Sequence, residues 1–239
     1  MSFIRQILYG LWFYLSIAAF GILAAPMAAF SRKATMAAIR GWATAQQIGV
    51  RLICGVTTEV RGLENLPDGG CVVAMKHQST YDTVAPFAFL PAAAYVLKQE
   101  LLKQPIFGWY AKRAGMVAID REGGAKTMRH LIAEAKRCAQ EKRQIVIFPE
   151  GTRQEVGAPP DYKPGVMGLY KAAGLPCVPV AVNTGLYWPG KTFPGRPGRI
   201  VFEILPAIQP GLSRDDFMTH LQEAIEPATA RLVEETQPK

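Results

Sequence analysis

No two cysteines of this chain form a CxxC pair, and none of its three histidines lies at metal-ligand spacing from any of its four cysteines. Cys54, Cys71, Cys138 and Cys177 are widely spread, and His77, His130 and His220 stand apart from them. A metal site and a disulfide framework are not signposted. The cysteines read as reduced thiols that behave as small buried hydrophobes. No GxSxG occurs, which argues against a serine lipase. Acidic residues are missing altogether before Glu59, where Arg5, Arg32, Lys33, Arg40 and Arg51 are the only charged side chains. From Glu59 onward basic and acidic residues nearly balance, and no Lys/Arg-rich run is interleaved with aromatics. The net charge of +8 is therefore largely an N-terminal property. Nucleic-acid binding loses its main support, whereas a cationic N-terminal segment suits anionic lipid.

What is present begins with apolar length. Residues 7–30 carry no charge and exceed the roughly 20 apolar residues needed to cross a bilayer. Tyr9, Trp12 and Tyr14 resemble interfacial anchors near one end, and Pro26 can bend the segment. A single span and a re-entrant or monotopic hairpin both fit. A cleaved signal peptide fits less well, because the apolar run is long and no small-residue cleavage site precedes a polar start. If the segment spans, Arg32, Lys33 and Arg40 on its C-terminal side place the main domain in the cytoplasm. Met36, Ile39, Trp42 and Ala43 recur at helical spacing, which predicts a second helix lying on the membrane or on the domain. Residues 1–54 are thus read as membrane-associated helices and residues 55–239 as one domain.

After Gly55, short β-rich apolar runs at 71–75, 94–97, 116–119, 145–148 and 178–182 alternate with helical segments. That alternation predicts an α/β fold, a mixed sheet flanked by helices. Helices are expected over about 126–142 and 215–235, a further strand over 199–205, and a Gly/Pro-rich surface loop over 154–165.

Charged residues gather where these apolar runs end, which is where open α/β sheets hold ligands. Lys76-His77-Gln78-Ser79-Thr80-Tyr81-Asp82 follows the run at 71–75. Ser79 or Thr80 can cap the next helix, bringing Asp82 near the imidazole. A histidine held by a carboxylate is a general base of fixed tautomer. No serine or cysteine nucleophile accompanies it, so the attacking hydroxyl would be the substrate's own. Taken alone, this spacing reads more ordinarily as a surface histidine beside a cap. Phe148-Pro149-Glu150-Gly151-Thr152-Arg153 follows the run at 145–148 and opens on the same rim. Its Gly151 allows close backbone approach, Thr152 offers a hydroxyl, and Arg153 can clamp a phosphate with two parallel hydrogen bonds. A plain β-turn with a solvated Glu/Arg pair reads equally well. Residues 115–121 repeat the pattern and add Arg121 as a second phosphate ligand, whereas residues 178–183 form a buried strand with little chemistry.

In this order, and each at a strand end, the four blocks resemble the glycerolipid acyltransferase family, specifically 1-acylglycerol-3-phosphate (lysophosphatidic acid) acyltransferases. His77 and Asp82 match the family's HxxxxD, Gly115 to Arg121 its second block, Phe148 to Arg153 its FPEGTR block, and Val178 to Val182 its Pro-containing fourth block. The resemblance implies that His77, oriented by Asp82, takes the proton from the acceptor hydroxyl as it attacks a thioester. The donor is acyl-CoA or acyl-carrier protein, a co-substrate, and no cofactor or metal is required. It also implies that Arg121 and Arg153 hold the acceptor phosphate in a pocket shaped by Glu150, Gly151 and Thr152, with Lys98 at a further phosphate position. The expected partners are a lipid bilayer, a lysophospholipid acceptor and the thioester donor, with no nucleic acid. The expected location is a bacterial inner membrane, the site facing the cytoplasm. Ala118 stands where relatives often carry a bulkier apolar residue, which leaves the acyl or acceptor preference open. Lyso-ornithine lipid, another lysophospholipid or glycerol 3-phosphate remain alternative acceptors, and a non-catalytic lipid-binding protein is the alternative of another class.

Overall fold

A computed structural model of the chain describes residues 3–120, 123–190 and 192–237. Two long helices open it: α1 (Phe3–Leu23) and, after the short α2 (Ala25–Phe30), α3 (Arg32–Cys54). Pro26 occupies the start of α2, where its missing N–H costs nothing. The Ser31 side chain accepts from the Ala34 amide and so caps α3, which stops at Gly55 in the left-handed conformation (φ 69°).

Seven strands follow: β1 (Val56–Arg61), β2 (Cys71–Met75), β3 (Ala93–Lys98), β4 (Val117–Ile119), β5 (Gln144–Ile147), β6 (Cys177–Val182) and β7 (Gly198–Ile204). They form one mixed sheet in the order β1-β7-β6-β2-β5-β3-β4. Neighbours run parallel except β6 and β7, which are antiparallel. Every residue of β2, β5 and β6 is buried, as strands covered on both faces must be, which is why they read as unbroken apolar runs. β5 enters between β2 and β3, so the carboxyl ends of β2, β5, β3 and β4 share one rim. Between and after the strands run α4 (Pro105–Arg113), α5 (Gly124–Gln140), α6 (Gly165–Ala173), α7 (Thr184–Tyr187) and α8 (Arg214–Thr236).

The pleat divides the core. On one face Val73, Met75, Val146, Val180 and Phe202 meet Tyr9 of α1 and Val50 and Cys54 of α3. On the other, Val72, Ala74, Ile145 and Ile147 meet Leu131 of α5, Leu169 of α6 and Phe217 of α8. All four cysteines are buried and free, and burial pushes the Cys71 thiol up to about 12.

α1 and α3 form an antiparallel hairpin held by polar groups inside an apolar contact. Tyr9 Oη donates to Gln46 Oε1 at 3.0 Å, and Gln46 Nε2 donates to Ser16 Oγ at 2.6 Å. Trp12 Nε1 donates to Ala45 O at 3.2 Å and lies over Gly49, where any Cβ would collide with the indole. α1 also touches the sheet domain near both ends. Gln6 reaches Pro194 O, Tyr9 packs edge-on against Trp188 and Phe193, and Tyr110 of α4 donates to Gly21 O. The 15 positions from residue 6 to 21 amount to about 22 Å of helix lying along the domain. The opposite side is apolar and open: Phe3, Leu8, Leu11, Leu15 and Leu23, continued by Met27 and Phe30, are exposed.

Replacing Gln46 by Leu leaves the buried Tyr9 hydroxyl without its acceptor, a loss of about 1–3 kcal/mol. Thermal unfolding of Gln46→Leu is expected to show a lower Tm, and a Tm equal to the parent's would contradict this role for the polar contact.

Candidate active site

The site is assembled where β2 and β5 end. After Met75 the chain leaves β2 and turns sharply, and one carboxylate oxygen organises the turn. Asp82 Oδ2 accepts from the Gln78 amide at 2.7 Å and the Ser79 amide at 2.8 Å, and it lies 3.0 Å from His77 Nδ1. Asp82 is wholly buried. The element that follows is a single 3-10 turn, Tyr81–Thr83. Thr80 makes no side-chain cap, while Ser79 Oγ accepts from the Tyr81 amide at 3.0 Å. Asp82 therefore folds back through a tight loop instead of a regular helix start.

The imidazole is gripped on several sides. Its face stacks on Phe148 with centroids 3.9 Å apart. The His77 amide donates to Glu150 Oε2 at 3.0 Å, and its carbonyl accepts from the Gln154 amide at 2.8 Å. With Nδ1 turned toward Asp82, Nε2 makes no hydrogen bond among the described residues. The loop is fastened outside as well. Gly190 N donates to Gln78 O and Thr80 N donates to Gly190 O, each at 3.0 Å. Tyr81 stacks on Trp188 and meets Thr58 Oγ1 at 2.7 Å.

The β5 end supplies the second wall. Gly151 adopts φ 69°, and its amide donates to Phe148 O at 3.0 Å, closing a turn that favours glycine. Thr152 is exposed. Arg153 Nε is buried with no hydrogen-bond partner among the described residues, as is Asp82 Oδ1. Burial lowers the pKa of the Arg153 guanidinium, and the charge of Asp82 opposes that shift. Glu150 is buried at 1% exposure, with Lys76 Nζ 2.6 Å from its Oε1. Burial raises its carboxyl above the ordinary range, against the Lys76 contact that lowers it.

Lys98, at the end of β3, is on the same rim but half exposed, 3.5 Å from Glu100. Arg121 lies outside the described residues. The structure thus brings His77, Asp82, Glu150, Gly151 and Arg153 together, leaves Thr152 and Lys98 on the open side, and adds three residues that sequence reasoning missed. These are Lys76, Glu226 and Tyr162: Lys76 Nζ lies 2.9 Å from both Glu226 oxygens, and Tyr162 Oη donates to Glu226 Oε1 at 2.7 Å. A charged residue continuing a fully apolar strand was the one available signal for Lys76.

Known proteins align with this chain. A 1-acyl-sn-glycerol-3-phosphate acyltransferase of Pseudomonas aeruginosa is 40% identical over 158 residues, which are 66% of this chain and 62% of that protein. The mouse 1-acyl-sn-glycerol-3-phosphate acyltransferase alpha is 28% identical over 171 residues, 70% of this chain and 60% of its own length. The chain thus spans about three-fifths of the length of these relatives. The crystal structure of the 1-acyl-sn-glycerophosphate (LPA) acyltransferase PlsC from Thermotoga maritima superposes with a TM-score of 0.81 over 96% of each chain at 22% identity, which establishes a shared fold. The Acyltransferase family model matches residues 57–183, more than half of the chain and the stretch that contains both strand-end blocks. This chain belongs to the Acyltransferase family.

Proposed function

We propose that this chain transfers a fatty acyl group from acyl-CoA or acyl-carrier protein to the free sn-2 hydroxyl of lysophosphatidic acid, giving phosphatidic acid. The observation that carries this reading is the His77–Asp82 pair: Nδ1 is held at 3.0 Å by a buried carboxylate and Nε2 has no hydrogen-bond partner among the described residues. Nε2 takes the proton from the acceptor hydroxyl, whose oxygen attacks the thioester carbonyl. The tetrahedral intermediate collapses with loss of the thiolate, which recovers that proton from the imidazolium. His77 touches the reacting atoms and Asp82 stabilises the ring as it gains charge. The buried Nε of Arg153, without a hydrogen-bond partner among the described residues, supports a role in receiving the acceptor's phosphate, with Lys98 as a further cation at the same rim. Arg121, which lies outside the described residues, is the second phosphate ligand that the sequence suggests. Thioester chemistry of this kind needs no metal, and no cluster of three or more metal-ligating side chains occurs among the described residues.

The lipid reaches this site from the side covered by the hairpin. α1 is long and apolar enough to cross a membrane, yet its contacts with the domain near both ends favour a helix lying in one leaflet. Its open apolar face points into the acyl region and Arg32, Lys33 and Arg40 meet headgroups on the cytoplasmic side.

Two experiments test this. In an assay of oleoyl-CoA with lysophosphatidic acid, lyso-ornithine lipid and glycerol 3-phosphate, the parent protein is expected to form phosphatidic acid. His77→Ala should lower the rate by ~10² or more, and Arg153→Ala should raise the acceptor KM more than the donor KM. Near-normal turnover by folded His77→Ala would remove the general base. Product only from another acceptor would change the substrate, and no transfer from either a CoA or a carrier-protein thioester would favour a binding protein. For the membrane, single Arg5→Cys and Lys33→Cys variants in sealed vesicles should react with an impermeant maleimide from the same side, the native cysteines being buried. Labelling from opposite sides would mean that α1 spans.

A further inference from the structure

Glu150 belongs to the block expected to shape a phosphate pocket, yet its carboxylate is turned inward, one oxygen taking a hydrogen bond and the other an ion pair without hydrogen-bond geometry. Oε2 receives the His77 amide at 3.0 Å and Oε1 lies 2.6 Å from Lys76 Nζ. Glu150 and Lys76 are 1% and 2% exposed. Lys76 also lies 2.9 Å from both oxygens of Glu226 on α8, and Tyr162 from the loop beyond β5 donates to Glu226 at 2.7 Å. One ammonium is shared by two carboxylates drawn from segments far apart in sequence, and among the described residues the hydrogen bond that joins this cluster to the His77 loop goes to the main chain of His77.

We infer that Lys76, Glu150, Glu226 and Tyr162 form a clamp, buried at Lys76 and Glu150 and half-buried at Glu226 and Tyr162, that positions the backbone of the general base, making Glu150 a positioning residue and not a phosphate ligand. A carboxylate facing a phosphomonoester would repel it, whereas here the negative charge of Glu150 is met by an ammonium and a main-chain amide, and the Tyr162 phenol bonds Glu226. Lys76 precedes His77 at the end of β2, and alternation along the chain sends successive side chains to opposite faces. Lys76 thereby reaches α8 while His77 remains over Phe148 on the site side. Asp82 holds the ring from one direction, and the clamp holds the main chain from the other. A buried carboxylate is costly unless paired and hydrogen-bonded, so moving His77 away from Glu150 would break a charge-assisted bond and leave that charge less satisfied. Such stiffness serves catalysis, since a displacement of about 1 Å can cost ~10²-fold in rate. The C-terminal helix, which has no part in the strand-end blocks, is in this way tied to the reacting group.

This inference rests on the proposed transfer reaction, so the test carries one arm that does not need it. In the full chain, Glu226→Gln, which keeps volume and an acceptor for Tyr162, should lower kcat by about 3- to 10-fold, and Lys76→Met by ~10²-fold. The KM values for acceptor and donor should stay within about twofold, because the clamp orients a group and does not bind substrate. Hydrogen exchange at the His77 amide should speed by about 10-fold or more in both variants, beyond any change in global unfolding. Should Lys76→Met fail to fold, Glu226→Gln alone decides. The inference is overturned by folded variants with parental kcat, by a raised acceptor KM at unchanged kcat, or by unchanged exchange at His77. A parent protein that makes no phosphatidic acid would sink the transfer reading instead, and the exchange arm would still decide the clamp.

Discussion

One carboxylate oxygen, Asp82 Oδ2, receives two loop amides and faces the imidazole nitrogen of His77, and the geometry of the site follows from that convergence. Removing the carboxylate would orphan two buried donors at once, each at a cost of about 1–3 kcal/mol. The same oxygen that organises the ring therefore closes the loop that carries it, so a disturbed loop is also a disturbed base. The loop is in turn held from outside by Gly190, by Trp188 against Tyr81, and through Trp188 by Tyr9 of the first helix. An aromatic path of two ring contacts joins the apolar hairpin to the turn that presents His77. The apolar hairpin and the placement of the His77 ring are mechanically connected in this fold.

The sheet explains why chemistry collects on one rim. β2 and β5 are neighbours, parallel and buried, so polar groups can reach solvent only where these strands end. The hairpin covers one face of the sheet and α5, α6 and α8 the other. The hairpin side leaves the His77 ring over Phe148, while the opposite face supplies Glu226 from α8 to the Lys76 contact behind it.

Local chemistry was legible in the sequence because its partners are local. His77 and Asp82 are five residues apart, and β2, β3, β5 and β6, buried along nearly their whole length, declared themselves as apolar runs. β1 was missed because Val56–Arg61 is an edge strand with only its first residue fully buried, so four of its six residues are polar. The loop after His77 differed from the expected helix cap, since Asp82 satisfies the amides that a regular first turn would present. The clamp was invisible because Lys76 and Glu226 lie 150 positions apart, and Glu226 sits on a helix whose surface pattern carries no special mark. Whether α1 lies or spans was equally out of reach. Apolar composition records a demand for cover, and only the contacts of Gln6, Tyr9 and Gly21 show that the domain supplies part of it.

The central claim is that Asp82 fixes His77 with its Nδ1 as donor, leaving Nε2 free to take the acceptor's proton. Nitrogen-15 spectra of histidine-labelled protein, assigned with His77→Ala, read this tautomer directly. The account predicts that the neutral His77 ring carries its proton on Nδ1, with the Nε2 resonance in the unprotonated range. A neutral ring protonated on Nε2 would contradict it, because the nitrogen facing the acceptor would then have no lone pair to offer.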